Sequence, residues 1–88
     1  MNENDKVTVV MTVKDVDAQF ETIKSSDGVE VSYNHFSSRE MAGTYASVGD
    51  DVVQTLGKGD KIRVTGRIDF IGTWQVTLED VTSIEVIQ

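Results

Sequence analysis

Neither proline nor cysteine occurs in this chain. Without cysteine, no disulfide framework and no thiolate zinc site can form. The absence suits a reducing cytoplasm, and a cytoplasmic location is expected, although a chain cut from an exported precursor would look the same. Without proline, turns and strand ends fall to glycine, of which there are seven. Positive charge is scarce. Eight Lys and Arg stand against fifteen Asp and Glu, a net of −7. That balance repels nucleic acid and anionic membranes at long range, and it favours solubility and a basic partner. No apolar run approaches the roughly 20 residues of a membrane span. The opening Met1-Asn-Glu-Asn-Asp5 is acidic and unlike the basic start of a signal peptide. With 88 residues, the chain is expected to form one small domain, 1–88, near the low end of what a single core stabilises.

What cationic charge there is gathers in one place. From Lys58 to Arg67 there are four basic residues and one acidic residue, a net of +3, which leaves −10 for the rest. The segment opens with a Gly-Lys-Gly-Asp turn and continues as a strand. Ile62, Val64, Gly66 and Ile68 fall on one face; Lys61, Arg63, Thr65 and Arg67 fall on the other. Alternation with a period of two is the mark of a half-buried strand.

Other segments alternate too. Val7, Val9, Met11 and Val13 share a face in a first strand, with a break expected over Asp15–Ala18. Phe20–Lys24 and Val29–Phe36 read as a hairpin around Ser26-Asp27-Gly28, with Gly28 in the left-handed position of a three-residue loop. That register sets Lys24 opposite Glu30, Ile23 opposite Val31 and Thr22 opposite Ser32. It joins opposite charges on one face and aliphatic side chains on the other. Ile23, Val31 and Tyr33 then face inward, and Phe20, Lys24, Asn34 and Phe36 outward. Glu21 would point inward, so a bulge or twist is expected there. Ser37–Leu56 reads as a loop with a short helix over Asp51–Leu56, on which Val52, Val53 and Leu56 share a face. Asp50 or Asp51 caps it and Gly57 lies just past its end. The fourth strand spans Lys61–Phe70. Ile71-Gly72-Thr73 turns the chain, and a fifth strand covers Trp74–Leu78 and resumes over Ile84–Ile87.

Strand, strand, strand, helix, strand, strand is the order of the oligonucleotide/oligosaccharide-binding (OB) fold. The expected class is therefore all-β, a five-stranded Greek-key barrel with one short helix. Closure also removes exposed sheet edges. The pattern Leu56-x-Lys58-Gly59-Asp60-x-Ile62-x-Val64-x-Gly66-x-Ile68, followed by Val76-x-Leu78-Glu79-Asp80-Val81-x-x-Ile84, resembles the fourth and fifth strands of OB domains. It is similar in particular to bacterial tRNA-anticodon-like OB proteins and to the nucleic-acid-binding modules of replication protein A. The Phe20–Phe36 hairpin resembles their second and third strands. The motifs are structural, so they bear on fold directly and on function by analogy.

The resemblance implies a binding groove across the outer face of strands two and three, flanked by the loops that join strands one and two and strands four and five. Carried onto this chain, the face includes Phe20, Lys24, Asn34 and Phe36. Its flanks lie near Asp17 and near Phe70, Thr73 and Trp74, and Arg63 and Arg67 are expected on the adjoining strand. Asp17, Glu30 and Asp69 make the groove partly acidic, which departs from a phosphate-binding pattern. Lys61, Arg63 and Arg67 would track phosphates, and Phe20, Phe36 and Trp74 would stack bases at about 1–3 kcal/mol per base. Asn34 would hydrogen-bond. Against this, the basic strand face is equally a solvated surface paired with Asp69, Glu79 and Glu85, where exposed pairs contribute little. Trp74 shares the parity of Val76 and Leu78 and would then cap the barrel.

No catalytic residue is nominated. His35 is the single histidine, so no second imidazole completes a transition-metal site. Asp15-x-Asp17 and Asp50-Asp51 fall short of the 6–8 oxygens that calcium takes. No serine occupies a nucleophile-elbow pattern, and Gly-Lys-Gly is too short for a phosphate-binding loop. The chain thus reads as a non-enzyme without cofactor or metal, a monomer or weak homodimer. Its expected function is to bind short single-stranded DNA or RNA, weakly and with strong salt dependence. The alternative is a protein-interaction OB domain whose acidic surface engages a basic protein or imitates nucleic acid. A third reading, an extracytoplasmic ligand-binding domain, rests on the resemblance alone.

Overall fold

The computed structural model describes residues 2–34 and 50–87. Five strands, β1 (Lys6–Asp17), β2 (Thr22–Ser25), β3 (Val29–Ser32), β4 (Lys61–Ile71) and β5 (Val76–Val86), close into a barrel in the order β1-β2-β3-β5-β4. Neighbours pair antiparallel except β3 and β5, which run parallel. This is the strand order of a five-stranded OB-type barrel. A single helical turn, α1 (Asp50–Val53), precedes β4.

Alternation explains which side of each strand is buried. Ile62, Val64 and Ile68 of β4 are fully buried, and Ile23, Val31 and Leu78 meet them in the core. Each such side chain stabilises the fold by roughly 1.5–3 kcal/mol through the water it sheds. Val53 of α1 joins the core, with Val52 and Leu56 packed beside it. The helical face expected from these three residues is therefore present, though the α-helical turn itself ends at Val53 rather than Leu56. Beyond it, Thr55 N–H donates to the Val52 carbonyl and Leu56 N–H to that of Val53.

The β2–β3 hairpin has the expected register, Lys24 opposite Glu30, Ile23 opposite Val31 and Thr22 opposite Ser32. Gly28 closes it at φ +83°. A Cβ on Gly28 would also lie 3.0 Å from the Trp74 carbonyl oxygen, so the position is fixed twice over. Asp27 anchors the turn to β1 by accepting the Thr12 N–H at 2.8 Å.

β3 ends at Ser32, with Tyr33 and Asn34 in a turn rather than in the strand expected to run on to Phe36, and three further expectations change. The expected break over Asp15–Ala18 is absent, because β1 continues to Asp17. Its irregularity falls between Val13 and Asp15, leaving Lys14 as the extra residue. The cause is a change of partner, since Lys6–Thr12 pair with β4 and Val13–Asp17 with β2. A bulge supplies the bend that this needs. Secondly, β2 begins at Thr22, and Phe20 and Glu21 lie in the preceding turn. Asp17 closes that turn by accepting the Gln19 and Phe20 N–H groups. Glu21 takes φ +53°, which turns its side chain out to solvent and resolves the parity conflict.

Thirdly, β5 is continuous from Val76 to Val86 rather than interrupted after Leu78. Its pairing to β4 steps from Ser83 opposite Thr65 to Glu79 opposite Arg67, so extra residues bulge out between them. Asp80 takes φ +49° there and is almost fully buried, as is Val81. Gly66 faces this bulge; a Cβ on it would lie 2.9 Å from the Glu79 carbonyl oxygen. The glycine in β4 is thus required by close approach of backbone. His35, Phe36 and the expected loop over residues 37–49 lie outside the described residues.

Candidate nucleic-acid interface

Pairing registers place one outward-facing row across the barrel wall. Asp15 on β1 lies opposite Lys24 on β2, Lys24 opposite Glu30 on β3, Glu30 beside Thr77 on β5, and Thr77 opposite Phe70 on β4. Above this row is an open groove of about 350 Å³, bordered by Lys14, Asp15, Lys24, Glu30, Trp74 and Gln75. That volume is within the range of small-ligand sites.

Trp74 sits in the β4–β5 turn and is 89% exposed. Its backbone is held while its ring is free. The Trp74 carbonyl packs on Gly28, the next-but-one N–H, that of Val76, donates to the Gly28 carbonyl at 2.9 Å, and Gly72 N–H donates to Gln75 across the turn. The expectation that Trp74 caps the barrel through the parity of Val76 and Leu78 fails, because β5 begins at Val76 and the turn before it has no strand parity. An indole presented to water on a fixed backbone can stack on a flat ligand with little ordering cost.

The amide of Gln75 is anchored beside it. Its Nε2 donates to Glu30 Oε2 at 2.6 Å and approaches Thr77 Oγ1 at 3.5 Å. Lys14 and Lys24 are exposed on the other border, and among the described residues no ion pair holds either. At the far end of the β2–β3 ribbon, Phe20 is 71% exposed in the β1–β2 turn. Asn34 lies there too, half-buried, with its Nδ2 donating to a Glu21 carboxylate oxygen.

The basic residues of β4 are elsewhere. β4 lies between β1 and β5, so it adjoins neither β2 nor β3, and the expected position of Arg63 and Arg67 beside the β2–β3 face is corrected. Arg63 lies opposite Glu85 and its Nη1 is 3.8 Å from that carboxylate. Arg67 Nε is 3.3 Å from Oδ2 of buried Asp80, and its Nη1 donates to the Asn4 carbonyl at 3.3 Å. The same N-terminal turn is laced to β4 through Asn4 N–H to Ile68 and Ile68 N–H to Asp5. Arg67 therefore fastens structure. Lys61 is exposed opposite Thr12 on β1.

Of the residues expected to act together, Lys24 and Trp74 share the groove, Phe20 and Asn34 flank it at the other end, and Lys61, Arg63 and Arg67 occupy a separate face. Phe36 lies outside the described residues. Sequence reasoning missed Lys14 and Gln75. Lys14 enters through a bulge, for which the alternating β1 pattern carries no signal. Gln75 could have been found from its position beside Trp74 in a glycine-containing turn. Among the described residues, no three side chains gather that could hold a metal ion, and no helix is long and apolar enough to cross a membrane. Comparison with protein families, curated proteins and solved structures returned no match to this chain.

Proposed function

We propose that this protein is a non-catalytic binding module for a short stretch of single-stranded nucleic acid, taken in the groove beside Trp74. The observation that carries the reading is the exposed indole of Trp74, set on a fixed backbone in a groove bordered by two lysines that no ion pair holds among the described residues. Stacking on an aromatic ring tolerates any base and is worth about 1–3 kcal/mol per base. Lys14 and Lys24 supply the phosphate contacts, and Phe20 offers a second platform at the other end of the ribbon. The position of the groove agrees with the one that the OB resemblance implies. The −7 total charge opposes binding at long range, so affinity is weak and rests on short-range stacking.

The test is fluorescence anisotropy of labelled single-stranded DNA and RNA at about 20 mM and about 200 mM salt. Two phosphate contacts give a log–log slope of about −1.4, or roughly a 25-fold loss of affinity over that tenfold range. If Lys61 and Arg63 also tracked the backbone, four contacts would give a slope of about −2.8 and a loss of roughly 600-fold. Absence of binding at the lower salt would overturn the reading and turn attention to a basic protein partner of the acidic surface.

A further inference from the structure

We infer that the groove prefers bases carrying an exocyclic amino group, with cytosine favoured over uracil or thymine. This rests on the proposed function and concerns the polar groups next to the stacking ring. The Gln75 amide nitrogen faces the wall, donating to Glu30 at 2.6 Å and lying 3.5 Å from Thr77 Oγ1. The opposite orientation would set the amide oxygen against the Glu30 carboxylate, two acceptors facing each other, so the anchored orientation is fixed by electrostatics. What this pair turns toward a ligand is the Gln75 carbonyl oxygen and the remaining lone pairs of the Glu30 carboxylate, two acceptors set between the donors of Lys24 and Thr77.

Glu30 is half-buried at the centre of the outward row, between Lys24 and Thr77. Its carboxylate accepts from Gln75 in an exposed hydrogen bond, so the second oxygen is open to a ligand. A base stacked on Trp74 turns one edge toward this wall. Cytosine presents its N4 amino group there, a donor that carboxylates accept. Uracil and thymine carry O4, an acceptor, in place of the amino group, and keep only the N3–H as a donor to this edge. Adenine offers N6–H, but the bidentate partner it takes from a free glutamine is unavailable, because Gln75 has committed its NH₂. Lys24 lies opposite Glu30 and Lys14 borders the same groove; both are flexible point-charge donors, engaged by phosphate rather than by O4.

The experiment titrates the protein into labelled oligo-dC and oligo-dU of about eight nucleotides, a length within the site size of one OB barrel, at about 20 mM salt and neutral pH. Deoxyuridine removes the methyl group that would otherwise confound the comparison. Oligo-dC is expected to bind roughly tenfold tighter than oligo-dU, the discrimination of one good base contact. Glu30→Gln, which restores a donor at the same place, should bring the ratio close to one while the protein keeps its fold, as followed by circular dichroism. Equal binding of the two oligomers by the unmodified protein overturns the amino-group preference and leaves the nucleic-acid reading standing. A ratio that survives Glu30→Gln and Gln75→Ala alike also overturns it. Binding of neither oligomer defeats the nucleic-acid reading, and this inference with it.

Discussion

Two faces of the barrel carry cations, and they differ in what the cations are doing. On the β4 face, Arg63 lies opposite Glu85 and Arg67 is tied to Asp80 and to the Asn4 carbonyl. On the groove face, Lys14 and Lys24 stand beside an open tryptophan, and among the described residues neither is in an ion pair. The β4 face has the greater density of positive charge along the chain, but both of its arginines are engaged and its exposed Lys61 lies away from the open tryptophan. A local excess of basic residues is a property of one strand; availability depends on what the neighbouring strands place opposite it.

The contrast breaks first at Arg67. Arg67→Ala removes the cation facing buried Asp80 and the clasp on the N-terminal turn. The expected cost is roughly 2–3 kcal/mol, below that of breaking a fully buried pair, because Arg67 is itself partly exposed and its Nε makes no hydrogen bond to Asp80. It should appear as a lowered urea midpoint, and an unchanged midpoint would mean that Arg67 is surface charge after all. Gly66→Ala probes the seam on the same side, where an added Cβ would collide with the Glu79 carbonyl. About 1–3 kcal/mol of destabilisation is expected, read in the same way.

On the groove face the effects should fall on binding instead. Trp74→Ala is expected to leave stability within about 0.5 kcal/mol, since the ring is exposed. Affinity for single-stranded oligomers should fall by roughly tenfold or more as one stacking platform is lost. Loss of stability with unchanged affinity would reverse the assignment of the two faces. The smallest change is expected from Lys61→Glu with Arg63→Glu. Exposed pairs contribute less than about 1 kcal/mol. At about 150 mM salt the added charges are screened beyond about 8 Å, so affinity should stay near that of the unmodified protein. A large fall would join the two faces into one surface.

Much of the barrel wall was legible in the chain. The buried sides of β1 and β4, the hairpin register, the left-handed Gly28 and the Gly-Lys-Gly-Asp turn all follow from period-two alternation and turn chemistry. In that turn Gly59 adopts φ +96° and Asp60 accepts the Gly57 N–H at 2.8 Å. What was not legible involves extra residues in strands. The bulges at Lys14 and at Asp80 shift parity midway, and the alternating pattern carries no marker for a shift that two paired strands settle between them. Trp74 misled for a related reason, since strand parity was extended into a turn that does not have it. The candidate site was legible only in part: Lys24, Trp74 and Phe20 were named, but the face to which β4 belongs was not.

The sequence by itself determined which side of each strand seeks the core and where the tight turns fall. Both are decided within a few residues, by side-chain period and by backbone conformations that glycine allows. Only the tertiary structure decided which strands became neighbours. Closing the sheet sets β4 between β1 and β5. It brings Arg67 to a carbonyl 63 positions earlier in the chain and gathers Lys14, Lys24 and Trp74 around one groove. Those encounters depend on barrel closure and on three bulges, one in the β1–β2 pairing and two in the β4–β5 pairing. They are properties of paired strands in a closed wall, and no single segment contains them.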